Sequence, residues 1–208
     1  MNIAVIGAGS VGGTLGRRFS EAGHSVTFGT RDPAKGVKGG VPSATRLVSV
    51  GEAARSADVV ILAVPWGVVP NAVRELALTA GQVLVDATNP IGQGANGMSL
   101  DLGPNGESAA ERIAAMASAA RVVKAFNTTG ANNMADPVYG GEPTVMLYAG
   151  DDPDAKATVR DLVAAIGFDP VDAGGLVRAR QLEHVAFLWI SLAYGGMGRN
   201  IAFKLARR

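Results

Sequence analysis

The sequence predicts an α/β fold: a doubly wound, mostly parallel sheet ending in a short C-terminal helical appendage. Three observations carry this. Within thirty-one residues the chain runs through an apolar stretch, a glycine-rich turn, a helical pattern and a second apolar stretch. Continuous apolar runs then alternate with helical patterns almost to the end. Asp58-Val59-Val60-Ile61-Leu62-Ala63-Val64 is the plainest of these, and a run without polar alternation is what a parallel strand covered on both faces requires. Finally, 208 residues with 48% hydrophobic and 18% charged content suffice for one α/β unit with a substantial core, but not for a cofactor domain plus a large second domain.

Taken in order, strands are predicted near 2–7, 25–29, 45–48, 58–64, 82–86 and 121–126, with helices near 10–22, 51–56, 67–79 and 107–118. A further strand, helix and strand at 144–149, 153–166 and 168–172 extend the sheet. Ser108-x-x-Glu111 reads as a capping box, and Pro153 stands at the first helical position behind Asp152. The segment Asn89–Gly106 carries five glycines and two prolines and is longer than most connections, which suits a loop that closes over a ligand. No linker or repeat divides the chain, so residues 1–208 are expected to form a single domain that includes a C-terminal helical segment, 179–208. In that segment Leu182, Val185, Ala186, Trp189 and Ala193 form an apolar stripe at i, i+3, i+4 and i+7 spacing, broken at Gly195-Gly196-Met197-Gly198. Such a stripe is ordinarily core packing. So short an appendage would nonetheless expose Trp189 and Leu192, so a homodimer contact through this helix is expected.

The opening carries the most chemistry. In Gly7-Ala8-Gly9-Ser10-Val11-Gly12, Gly7 allows a tight turn, Gly9 lets backbone approach a pyrophosphate, and Gly12 lets the helix pack closely on the strand. The helix N-terminus then offers free N–H groups to phosphates. This is the dinucleotide turn of the Rossmann fold, and its position between strand and helix makes it more than a chance match among 28 glycines. An enzyme binding NAD usually ends its second strand on Asp or Glu, whereas this chain has Gly29-Thr30-Arg31. A hydroxyl and a guanidinium can hold a 2′-phosphate that a carboxylate would repel, so the expected cofactor is NADP(H). Lys35, one turn further on, is a candidate second cation.

Ligands on doubly wound sheets lie beyond the carboxyl ends of the strands. Ala63-Val64-Pro65-Trp66 follows one strand, and its proline would stop the ladder and hold the backbone flat against the nicotinamide-proximal ribose. Asn89, Asn127 and Thr128 follow two others and are the acceptor-side candidates. Each offers neutral donors and acceptors, although Asn and Thr are also ordinary turn residues. His24 and His184 read as surface and structural, respectively.

Composition excludes several classes. A net charge of +1 with no basic run beyond Arg207-Arg208 leaves no electrostatic footprint for nucleic acid. The lack of cysteine removes disulfides and thiolate chemistry, two histidines are too few for a histidine-based zinc site, and no metal site is expected. Val59–Pro70 and Val185–Gly198 are too short or too interrupted to span a bilayer, so no membrane partner and a cytoplasmic location are expected.

The glycine turn, Gly29-Thr30-Arg31-Asp32, Ala63-Val64-Pro65-Trp66, Val122-Val123-Lys124-Ala125-Phe126-Asn127-Thr128 and the ending Gly198-Arg199-Asn200-Ile201-Ala202-Phe203-Lys204-Leu205 together resemble the NADPH-dependent reductases related to deazaflavin (coenzyme F-420):NADP oxidoreductase. The similarity runs through essentially the whole chain. It implies that Ala8–Val11 bind the pyrophosphate, that Thr30, Arg31 and Lys35 hold the 2′-phosphate, and that Ala131 lies near the nicotinamide. Enzymes of that family acting on the deazaflavin carry a histidine where this chain has Asn127. In its Lys-Ala-Phe-Asn-Thr run the chain is more similar to the cytoplasmic reductase domains of the membrane metalloreductases, which pass electrons from NADPH to a flavin. The expected function is hydride transfer between NADP(H) and a planar redox acceptor, with deazaflavin coenzyme F-420 favoured. An NADPH-dependent flavin or metal reductase is the alternative, and a non-enzymatic NADP(H) sensor the reading from another class.

Overall fold

A computed structural model describes residues 1–35, 45–94 and 97–206. Strand β1 (Asn2–Ile6) is buried from its second residue onward and leads through the glycine turn into α1 (Ser10–Glu21). There follow β2 (Ser25–Gly29), β3 (Arg46–Val48), α2 (Val50–Arg55), β4 (Val59–Leu62), α3 (Val69–Glu75) and β5 (Val83–Asp86). The chain continues through β6 (Ile91–Gly94), β7 (Gly97–Leu100), α4 (Ala109–Met116), β8 (Arg121–Lys124) and α5 (Ala131–Ala135). It closes with β9 (Val138–Tyr139), β10 (Glu142–Pro143), β11 (Val145–Gly150), α6 (Pro153–Ala165), β12 (Asp169–Asp172) and α7 (Ala179–Leu192).

Eight strands form one sheet in the order β12-β11-β8-β5-β4-β1-β2-β3. β1 pairs in parallel with both β2 and β4, so the chain winds outward in one direction and then in the other, and a crevice opens at the carboxyl end of β1. This is the doubly wound, mostly parallel Rossmann-like sheet the sequence predicts. Only the junction of β11 with β8 is antiparallel, β12 running parallel to β11. The two faces of β1 feed separate cores, as the two-residue period of a strand dictates. Ile3 and Val5 pack with Leu15 and Phe19 of α1, while Ala4 and Ile6 pack with Ala53 and Ala54 of α2 and Val69 and Val73 of α3.

Several elements depart from expectation. The helix expected at 67–79 is a 3-10 turn at Trp66–Val68 followed by α3. The chain leaves the helix at Leu76 so that Leu76 and Leu78 can lie against the second core. The strand expected to reach 126 stops at Lys124, because Phe126 takes a left-handed conformation (φ 60°) that places its ring edge-on to Phe19. The loop Asn89–Gly106 contains the β6–β7 hairpin and is pinned at Asp101, which accepts a hydrogen bond from Trp66 Nε1 at 2.6 Å, while Arg112 stacks over the same indole. The hairpin β9–β10, absent from the sequence reading, turns on Gly140 and Gly141, both at positive φ.

The C-terminal segment also differs. Past α7 and a wide turn at Ala193–Met197, residues 198–206 run without helix. This tail folds back over Trp189, whose indole donates to the Ile201 carbonyl at 2.7 Å and which is buried. Trp189 therefore needs no second subunit to cover it, and Leu192 is half-buried. The stripe Leu182, Ala186, Trp189 and Ala193 is core, as its spacing suggests. Among the described residues no helix is long and apolar enough to cross a membrane.

One buried ion cluster ties the sheet to its last helix. Lys124 Nζ lies 2.8 Å from Asp86 Oδ2 and 3.0 Å from Glu183 Oε1, all three side chains being fully buried, and donates to the Thr88 carbonyl at 2.7 Å. Glu183 further accepts the Ala109 and Ala110 amides at the start of α4, while burial pushes its carboxyl above the ordinary range. Three charges held without water are tolerable only while each keeps its partners. Lys124→Met, which keeps the volume and removes the cation, should lower stability by about 3–5 kcal/mol, read as a shift of the urea midpoint. An unchanged midpoint would contradict this pairing.

Candidate active site

The turn after β1 contains two kinds of glycine. Gly7 has φ +100° and donates its amide to the Gly29 carbonyl at 3.2 Å. A Cβ on Gly7 would stand 2.5 Å from the Ala63 carbonyl oxygen, and one on Gly12 would stand 1.9 Å from the Gly7 carbonyl oxygen. The chain's own packing thus demands both. Gly9 has an ordinary φ of −74°, and a Cβ there would meet nothing within 4 Å. That open space lies at the start of α1, where Gly9 caps the helix with no side-chain hydrogen bond and the first turn holds no acidic residue. Helices α2, α4 and α6 are by contrast closed by Ser49, Ser108 and Asp152. An uncapped helix start with open access can seat an anion, because its amides point outward and its dipole favours negative charge. Ala8 and Val11 pack sideways onto the first core and fix the turn from below.

From this turn a cleft of about 390 Å³ runs toward the end of β2. Gly7, Ala8, Thr30, Arg31, Val64 and Pro65, all expected at a nucleotide site, line it together. Thr30 is held by its amide to the Val48 carbonyl. Arg31 is exposed, and among the described residues no ion pair engages its guanidinium. Lys35 ends a 3-10 turn at Pro33–Lys35, but its side chain lies outside the described residues. The far wall comes from α3 as Asn71, Arg74 and Glu75, which sequence reasoning missed because nothing in their local pattern distinguishes them from a solvated helix face.

A second cleft opens on the other side of α1, lined by Ser10, Thr14, Ala131, Asn132, Arg199 and Asn200. Ser10 and Ala131 were expected near the nucleotide; Asn132 and the tail residues were not. Asn89 and Asn127 grip each other: Asn89 Nδ2 donates to the Asn127 carbonyl at 3.0 Å, and Asn127 Nδ2 donates to Asn89 Oδ1 and to the Leu182 carbonyl, both at 3.2 Å. A carbonyl only accepts, so the Asn127 nitrogen must face Leu182. Asn127 is therefore buried with its donors committed, and only its Oδ1 lacks a partner. Thr128 turns inward, its hydroxyl 3.7 Å from Met146 Sδ, and does not offer the ligand contact expected of it. His184 is exposed, its Nδ1 beside the Arg180 carbonyl; His24, half-buried, rests edge-on against Phe19. Among the described residues no group of three His, Cys, Asp or Glu could hold a metal ion.

An uncapped helix at the crevice of a doubly wound sheet, with a hydroxyl and a guanidinium at the end of β2 that no carboxylate pairs among the described residues, is the class of site that takes a dinucleotide. Comparison with known proteins narrows the class. Residues 2–90 match the family described as NADP oxidoreductase, coenzyme F420-dependent. A crystal structure from Arthrobacter sp. FB24, described as a candidate F420-dependent NADP-reductase, is 31% identical with full coverage of both chains and a TM-score of 0.86. A hypothetical protein from Sinorhizobium meliloti is 34% identical over 85% of this chain and 86% of that one, with a TM-score of 0.72. Metalloreductase STEAP3 of Rattus norvegicus is 31% identical over 88% of this chain, which spans 36% of that relative's length. The chain belongs to the coenzyme F420-dependent NADP oxidoreductase family and is an NADP-dependent oxidoreductase.

The two kinds of glycine should separate on substitution. Gly12→Ala forces a Cβ into a backbone oxygen and should cost about 3 kcal/mol of stability or more, whereas Gly9→Ala, which loses only the preference of a helix N-cap for glycine over alanine, should cost about 1 kcal/mol or less, both read from thermal or urea unfolding without nucleotide. Equal losses at both positions would contradict the geometry.

Proposed function

We propose that this protein transfers a hydride between NADP(H) and a planar redox acceptor, with deazaflavin coenzyme F-420 as the favoured acceptor and a flavin as the alternative. The observation that carries the reading is the open approach at Gly9, in the same turn as Gly7 and Ala8, which line the cleft that ends on Thr30 and Arg31. The residues present fit the dinucleotide: a Cβ-free approach to the amides of α1, then a hydroxyl and a guanidinium that no carboxylate pairs among the described residues, where a 2′-phosphate would lie. On this reading Gly7–Gly12 hold the pyrophosphate and Thr30 and Arg31 the 2′-phosphate with Lys35 as second cation, while Ala63, Val64 and Pro65, expected at the nicotinamide-proximal ribose, flank the adenosine half instead, because Val64 and Pro65 line the same cleft as Thr30 and Arg31. The nicotinamide supplies the hydride chemistry when bound. The chain's part is orientation and exclusion of water, which is why no acid–base pair is called for.

Asn127 then positions rather than catalyses. Its two donors lock it to Asn89 and Leu182, and its remaining Oδ1 can accept one hydrogen bond from a carboxamide or ring N–H. Ala131, at the start of α5, borders the nicotinamide side. The family supports F-420 as acceptor. The likeness to a metalloreductase, together with asparagine at 127, supports a flavin. A cytoplasmic setting is proposed with this activity.

The cofactor assignment is tested by Arg31→Ala, which removes a charge-assisted contact worth roughly 1.5–3 kcal/mol. NADPH affinity should fall about ten- to a hundredfold while NADH affinity barely moves; equal losses for both nucleotides would sink the assignment. The acceptor reading is tested by following NADPH oxidation with F-420, with flavins and with small carbonyl acceptors. Asn127→Leu should lower turnover with the accepted ring by about tenfold or more through misplacement, with NADPH affinity nearly unchanged. Turnover only with small carbonyls would overturn the reading.

A further inference from the structure

The tail 198–206 is held more firmly than the covering of one tryptophan requires. Gly198, at φ +75°, reverses the chain after α7. Asn132 Nδ2 then donates to the Arg199 carbonyl at 2.8 Å and to Asn200 Oδ1 at 3.1 Å, and the buried Asn133 donates to the Ile201 carbonyl at 2.6 Å. Trp189 adds its bond to the same carbonyl, the Val145 amide donates to the Phe203 carbonyl, and Lys204 pairs with Glu142. Three separate elements, α5, α7 and β11, thus fix the backbone of a segment whose first two side chains, Arg199 and Asn200, remain exposed. Both side chains line the cleft of about 510 Å³ that begins at Ser10, beside the uncapped start of α1. Among the described residues no carboxylate pairs with the Arg199 guanidinium. A cation presented from a rigid backbone, with its counter-charge missing, is preorganised for an anion, because little ordering remains to be done on binding.

We infer that Arg199, with Asn200, forms a subsite for an anionic group on the hydride acceptor, so that the acceptor is a planar redox ring bearing a phosphate rather than a bare ring. The inference rests on the acceptor reading above and adds the acceptor's charge to it. The dinucleotide's own phosphates are the competing source of the anion. Against them, α1 already supplies amides for the pyrophosphate, and Arg31 stands at the other cleft for the 2′-phosphate.

FMN and riboflavin share a ring and differ by one phosphate, so they isolate the subsite. Their binding to the NADP⁺-saturated protein is followed by quenching of flavin fluorescence. The parent should prefer FMN by about tenfold, as one charge-assisted contact implies. Arg199→Ala should bring the preference close to one, Arg199→Lys should keep part of it, and NADP⁺ affinity should be the same in all three. No preference in the parent, or a preference that survives Arg199→Ala, overturns the subsite. So does a loss of NADP⁺ affinity in place of the FMN preference, which would assign the guanidinium to the dinucleotide. FMN that binds with the expected preference but is not reduced by NADPH leaves the subsite standing and removes flavin as acceptor.

Discussion

The close approach at the end of β1 constrains everything built around the site. Gly7 passes beneath the Ala63 carbonyl and bonds to Gly29, and Gly12 lies against the carbonyl of Gly7. Together these contacts draw the ends of β2, β4 and the start of α1 into one knot with no room for a side chain at either glycine. The consequence is geometric. The first turn of α1 is aimed at the crevice, with one cleft on the side of β2 and another on the side of α5. Gly9, alone in this turn, is left facing space. That opening leaves the approach to the α1 amides clear, as a phosphate seated there would require.

A second constraint acts beyond the carboxyl ends of β5 and β8. Asp86 and Lys124 end neighbouring strands, and Glu183 reaches them from α7. Asp86 also accepts the amide and hydroxyl of Thr88, which fixes the turn leading to Asn89. Leu182, next to Glu183, presents the carbonyl that orients Asn127. The ion cluster and the asparagine pair are therefore one assembly, in which buried charge sets the positions of neutral amides. The left-handed Phe126 just before Asn127 fits this picture: a bulky residue in that region is strained, and it persists only where the surroundings overdetermine it.

The sheet and the cleft at its edge were legible in the sequence because their signals are local. Gly7 to Gly12, the apolar run at 58–64 and Thr30-Arg31 each state a backbone or charge requirement within a few residues, and Ser108-x-x-Glu111 forms the capping box it spells. What escaped is set by distant partners. Arg74 faces the cleft only because α3 packs across from β2, and α3 stops at Glu75 because the second core claims Leu76 and Leu78. Thr128 turns to Met146, eighteen positions on, and the inward pull of Leu182 on Asn127 spans fifty-five. The β9–β10 hairpin did carry a local signal, since two glycines between short apolar and polar pairs mark such a turn. Trp189 reads as exposed because its cover, Ile201-Ala202-Phe203 in the tail, folds back onto it from twelve or more positions away.

We propose that the glycine turn and the end of β2 form a single NADP(H) site, and crystallography of the NADP⁺ complex is the decisive test. The pyrophosphate should lie over Gly9, within hydrogen-bond distance of the first amides of α1, and the 2′-phosphate against Thr30 and Arg31. A pyrophosphate elsewhere, or a 2′-phosphate directed into solvent away from Arg31, would contradict it.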